Sequence, residues 1–98
     1  MNKKEACQDC PVQKTANLLS DTWTMLIVRD LLSGSKRFCE LERSLGGIST
    51  RTLTLKLKKL EADAIIKKTK DGAYTATSRG KGLEPVERAM RAYGKKYL

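Results

Sequence analysis

Residues 46–68, GGISTRTLTLKLKKLEADAIIKK, decide how this chain is read. Two glycines stop whatever precedes them, and Ser49 follows as a helix cap. Ile48 before the cap can pack on Leu53 at the fourth helical position, a hydrophobic staple. At ~100° per residue, Leu53, Leu57 and Leu60 cluster within about 60° of arc, which is the inward stripe of an amphipathic helix. Arg51, Leu55, Lys58 and Ala62 fall opposite, with Thr52 and Lys59 on one flank. That outer side is basic, small and hydroxyl-bearing, with one leucine in its middle. After Asp63 the pattern turns β-branched.

Outward from this helix, the rest of the chain falls into order. Pro11 suits the first position of a helix, where its missing N–H costs nothing. Val12, Ala16 and Leu19 repeat at helical spacing. Ser20 or Asp21 caps a second helix, TWTMLIVRDLL, which is apolar nearly all round and belongs at the centre of the core. SGSKRF is a turn and a short extended piece. Phe38, Leu41 and Leu45 mark a brief third helix that Gly46-Gly47 ends. AIIKKT and AYTAT flank Lys70-Asp71-Gly72, and Asp-Gly between such runs signals a hairpin. Thr77 caps a last helix from Ser78 onward, with Pro85 bending it. In that helix Leu83, Val86, Met90, Tyr93 and Tyr97 recur at spacings of three and four, a stripe that needs a partner helix.

The expected fold is mainly α with a small β wing, in a single domain over residues 1–98. It has an N-terminal arm (1–10), a helix-turn-helix (39–62), a wing (65–76) and a C-terminal dimerisation helix (78–98). Its dimer contacts are expected at Val12, Leu83, Val86, Met90, Tyr93 and Tyr97.

Charge narrows the function. The net charge is +9, yet residues 1–50 carry only +1 and residues 51–82 carry +6. A charge run is usually a solvated face. A basic block on an otherwise balanced domain points instead to a polyanion, nucleic acid or a membrane surface. Membrane binding calls for Trp or Phe on the apolar side of a basic helix, and the fourth helix has neither. No apolar run approaches the ~20 residues of a membrane span, and MNKKEACQDC lacks a signal peptide's apolar stretch, so the chain is expected in the cytoplasm.

In a DNA major groove each outward residue has a use. Arg51 can fork onto guanine, Thr52 can hydrogen-bond and Leu55 can touch a thymine methyl. Leu55 can equally be buried against a neighbour or a partner chain. Ser49, Thr50 and the first backbone N–H groups lie where a helix start meets a phosphate. Lys56, Lys58 and Lys59 on the helix, with Lys67, Lys68 and Lys70 in the wing, supply phosphate or minor-groove contacts.

The chain has no histidine, which removes the commonest general base and metal ligand, so enzyme chemistry starts poorly supplied. Three cysteines in a reducing compartment are expected as free thiols. Cys7-x-x-Cys10 invites a zinc reading, but with Cys39 it gives three ligands, and a four-cysteine site then needs a second chain. No cofactor is expected. Cys10 precedes Pro11 at a helix start, where the macrodipole favours a thiolate and Cys7 lies near; it reads either as a redox sensor or as an inert thiol. Cys39, after Phe38, is expected partly buried.

CPVQKTANLLSDTWTMLIVRDLLSGSKRF, ELERSLGGISTRTLTLKLKKLEADAII and YTATSRG resemble the HxlR-type family of bacterial winged helix-turn-helix transcription regulators, related in fold to MarR regulators. The resemblance covers roughly residues 10 to 95. It implies a homodimer built by the terminal helices on a partly palindromic double-stranded operator, with an oxidant or small molecule as effector. It also implies that Cys10 occupies the sensor position of redox-responsive members. Four departures stand out. Ser20-Asp21-Thr22 replaces Gly-Gly-Lys before the tryptophan, and Leu55 replaces a glutamine-like residue. Ala64 replaces a glycine, and Ala76 replaces a larger apolar residue. The expected function is a sequence-specific DNA-binding regulator acting as a repressor. The alternative is a winged-helix protein–protein module without sequence-specific DNA binding.

Overall fold

A computed structural model describes residues 10–98. Its elements run α1 (Pro11–Leu18), α2 (Thr22–Leu32), α3 (Phe38–Ser44), α4 (Thr50–Ala62), β1 (Ile66–Lys68), β2 (Tyr74–Ala76), α5 (Ser78–Lys81) and α6 (Glu84–Tyr97). Helix α2 is the hub and packs against α3, α4, β2, α5 and α6. It earns that place by composition: Met25, Ile27, Val28 and Leu31 are all buried. Around them close Leu41 and Leu45 of the α3 region, Leu53, Leu57 and Leu60 of α4, and Ile65 and Ile66 entering the wing.

The helix starts follow the capping residues. Asp21 accepts the Thr24 N–H at 2.8 Å, and Ser49 accepts the Thr52 N–H at 3.0 Å. Ile48 packs on the same core as Leu53, as a staple requires. Gly47, at φ 96°, makes the left-handed turn between α3 and α4 that a side chain would resist.

The wing is an antiparallel hairpin pairing Ile66 with Ala76, Lys67 with Thr75 and Lys68 with Tyr74. Its loop is one residue longer than the tightest Asp-Gly turn. Thr69 N–H donates to the Ala73 carbonyl at 2.7 Å, and Gly72, at φ 89°, supplies the left-handed residue that such a three-residue loop needs. The extended piece before α3 joins the wing, because Lys36 and Tyr74 exchange backbone hydrogen bonds of 3.0 and 2.7 Å.

Ala64, where the resemblance leads one to expect glycine, sits at φ 60°, in the left-handed region. Holding alanine there costs on the order of 1 kcal/mol relative to glycine.

Two expectations change at the C-terminus. The single helix bent at Pro85 is two helices, α5 and α6, separated at Gly82 and Leu83. Pro85 has no N–H to give the Lys81 carbonyl, and the chain instead turns tightly, with Leu83 N–H bonded to the Gly80 carbonyl at 3.0 Å. Pro85 therefore opens α6 rather than bending a longer helix. Leu83, expected in the dimer stripe, is only 7% exposed and belongs to this chain's own core.

Candidate nucleic-acid interface

Helix α4 presents the outer face its periodicity implies. Arg51, Leu55, Lys58 and Lys59 are exposed while the three leucines of the inner stripe are sealed. Leu55, at 56% exposed, is not buried against the rest of the chain.

The first turn of α4 is tied down by its own hydroxyls. Ser49 Oγ, while capping Thr52, donates to Thr52 Oγ1 at 2.9 Å. Thr50 donates to the Glu42 carboxylate of α3 at 2.8 Å, fastening the two helices of the helix-turn-helix together. Lys59 pairs with Asp63 one turn on at 3.3 Å, an exposed pair that a phosphate can displace.

Lys56, expected on DNA, is paired within the fold: its ammonium lies 2.6 Å from Asp21 Oδ2 at the start of α2, with both side chains about two-thirds buried. On the helical wheel Lys56 falls ~40° from Leu60, at the edge of the buried stripe rather than on the outer face.

In the wing, Lys67 and Lys70 are exposed, and Lys68 Nζ lies 5.6 Å from the ring centre of its cross-strand neighbour Tyr74. That cation–π contact steadies the stem while leaving the ammonium accessible. Arg37, not among the expected site residues, ties the wing tip to the start of α3. Its guanidinium donates to the Asp71 carbonyl at 2.9 Å and lies 3.6 Å from the Asp71 carboxylate. The Thr69 hydroxyl above all, aided by nearby backbone N–H groups and Arg37, holds the Asp71 carboxyl below its ordinary range. Nothing local in the sequence links residues 34 positions apart.

The second surface is apolar. Pro11, Val12, Ala16, Leu19, Met25, Val86 and Met90 line an open groove of about 600 Å³ between α1, α2 and α6. Val12 is 77% exposed, and Met90, Tyr93 and Tyr97 continue the apolar surface along α6 at 54–62%. The Tyr93 and Tyr97 rings pack on each other, 4.9 Å between centres.

Cys10 caps α1 through its backbone, with its side chain making no cap hydrogen bond, and is 7% exposed. Cys7 lies outside the described residues. Cys39, expected partly buried, is exposed, because the second position of α3 faces away from the Leu41 stripe. Among the described residues no group of three or more His, Cys, Asp or Glu side chains could hold a metal ion, and no helix is long and apolar enough to cross a membrane.

Comparison with known proteins gives one consistent answer. Residues 18–98 match the family described as HxlR-like helix-turn-helix. An uncharacterized HTH-type transcriptional regulator of Synechocystis sp. is 37% identical over 95 residues, covering 91% of this chain and 70% of that protein. Among solved structures, the redox regulator HypR in its oxidized form superposes with a TM-score of 0.82 at 32% identity, covering 91% of this chain and 98% of that one. Quinone-bound YodB of Bacillus subtilis superposes with a TM-score of 0.81, also at 32% identity, covering 90% and 99%.

Proposed function

Because this chain belongs to the HxlR-like helix-turn-helix family, whose members are transcription regulators and not enzymes, we propose that it is a homodimeric repressor of cytoplasmic DNA targets. On this reading it inserts α4 into the major groove and lays its wing on the flanking backbone. The observation that carries the reading is the outer face of α4, with Arg51, Leu55 and Lys58 exposed together above a sealed leucine stripe. An exposed leucine between cations suits a groove that offers guanine acceptors, thymine methyls and phosphates within one turn. The exposed wing cations add to that face the further positive charge that a polyanion attracts.

Each contact has its role. Arg51 forks onto a guanine and Leu55 meets a methyl group, with Thr52 beside them. The free N–H groups at the start of α4, around Ser49 and Thr50, take a phosphate. Lys58, Lys59, Lys67, Lys68 and Lys70 bind the backbone and set register rather than sequence. Two copies joined through α1 and α6 present two recognition helices, and matching a palindromic operator requires them about 34 Å apart.

Arg51→Ala is expected to weaken operator binding by about 1–3 kcal/mol and to relax preference at one base pair. Lys68→Ala is expected to weaken all sequences alike and to flatten the salt slope by about one unit per protomer. Binding titrations at two salt concentrations on sites selected from random DNA measure both. If neither change alters binding, the interface is wrongly assigned.

A second reading concerns the signal. HypR is a redox regulator and YodB has been solved with quinone bound, and this chain shares their fold with a cysteine at the start of α1. We infer that Cys10 is the responsive thiol, its reaction with oxidants or electrophiles displacing α1 at the apolar groove. Burial makes Cys10 slow to react in the closed state, so the response requires α1 to loosen. Diamide is expected to change operator affinity in the wild type and in Cys39→Ser but not in Cys10→Ser, with a non-reducing gel identifying the product. An unchanged affinity in the oxidised wild type would make Cys10 a packing residue only.

A further inference from the structure

One cation of α4, Lys56, is engaged by a carboxylate of another helix. Asp21, the cap of α2, accepts the Thr24 N–H on Oδ1 and both the Thr24 hydroxyl, at 3.1 Å, and the Lys56 ammonium, at 2.6 Å, on Oδ2. Lys56 lies 35 residues further along the chain, on the flank of α4. The pair lines a small cleft with Leu18, Lys59 and Leu60, and both side chains are about two-thirds buried. Partial burial pushes the Asp21 carboxyl up, but Lys56 and the two Thr24 donors outweigh it and hold the carboxyl below its ordinary value.

The leucines of α4 decide how deeply the helix sinks into the core. Their packing and the Thr50–Glu42 bond leave only small rotations about the helix axis, but small rotations matter at the groove. Each ~10° of rotation sweeps the tip of an arginine, ~7 Å from its Cα, through more than an ångström, enough to spoil a forked hydrogen bond. A directional polar contact on the flank of the helix removes that freedom. We propose that Asp21 is a positioning residue for DNA recognition: by holding Lys56 it sets the rotation of α4 and so aims Arg51 and Leu55.

The inference rests on the DNA-binding reading above and is separable from it. Asp21→Asn keeps the cap, since asparagine caps as well as aspartate, and removes only the charge. Lys56→Gln removes the other partner. Each is expected to weaken operator binding by about five- to tenfold with an unchanged salt slope, and the double variant by no more than either single one. In the free protein, Lys56→Gln is expected to raise the midpoint of the Asp21 carboxyl titration, followed by NMR, toward the ordinary aspartate value.

The opposite role for Lys56 gives the opposite pattern. If it binds phosphate in competition with Asp21, Asp21→Asn strengthens binding and steepens the slope, and Lys56→Gln flattens it by about one unit; that result overturns the proposal. So does an unchanged Asp21 midpoint, or a loss of affinity that merely tracks lowered melting temperature. Normal behaviour of Arg51→Ala and Lys68→Ala alongside a neutral Asp21→Asn rejects the positioning role alone. A wild type that binds no DNA rejects the reading beneath it, and the positioning role with it.

Discussion

Gly80→Ala is expected to lower the melting temperature by on the order of 15 °C, a loss of about 3 kcal/mol at the several degrees per kcal/mol usual for a domain of this length. A β-carbon at residue 80 would stand 2.1 Å from the Ile65 carbonyl oxygen and 3.1 Å from its carbon. Both are backbone atoms, so no side chain can swing away. Moving them is costly, because the same carbonyl accepts the Thr77 N–H at 3.0 Å, and the Thr77 hydroxyl donates to the adjacent Ala64 carbonyl at 2.6 Å. Overpacking costs about 1–3 kcal/mol, and the strained hydrogen bonds add to it. Ala76, whose β-carbon would lie 3.4 Å away, shows that this corner admits only small groups. The position that looks thinned in sequence is where α5 presses on the wing. Thermal melts followed by circular dichroism measure the effect; a midpoint within a few degrees of wild type would mean that α5 docks elsewhere.

That corner shows which parts of the molecule its sequence discloses. The inner stripe of α4, the Ser49 cap and the hairpin are local: each depends on residues within about one turn of one another, and periodicity or turn chemistry reveals them. Ala64 is marked by the family resemblance alone, as the replacement of a glycine, and its φ of 60° is the physical reason a glycine suits that turn. Lys56 and Arg37 are not legible. Their partners, Asp21 and Asp71, are 35 and 34 residues away, and no local pattern says that a lysine on a basic helix is engaged by the fold. The helical wheel sets Lys56 beside the leucine stripe, a hint of burial that its charge alone does not carry. Leu83 was misplaced because its spacing continues the α6 stripe, whereas the Gly82–Leu83 turn rotates it inward. A stripe can be extrapolated only while the helix is continuous, and Pro85 ends that continuity.

Replacing Met90 and Tyr93 together by glutamate is expected to give a monomer that no longer binds a palindromic operator. These residues are 54% and 60% exposed on α6, in line with Tyr97 at 62%, and Val12 of α1 stands beside the same groove at 77%. So much apolar surface in a sequence of 98 residues is more than isolated exposed side chains would give. The acidic residues of α6 do not interrupt it, because Glu84 and Glu87 pair with Arg88 and Arg91 along the helix. A two-fold axis through α6 covers each residue twice, so every substitution is felt at two sites. Taking about 1.5 kcal/mol per side chain, losing four buried groups costs about 6 kcal/mol, some four decades in the dimer dissociation constant. Operator affinity should fall with it, since one half-site alone retains half the contacts. Because both side chains are exposed in the single chain, the variant should remain folded and melt as one cooperative unit, which separates lost assembly from lost structure. Light scattering at micromolar concentration decides the matter. A wild type that is monomeric there would remove the dimer from the proposed function and leave the groove without its occupant.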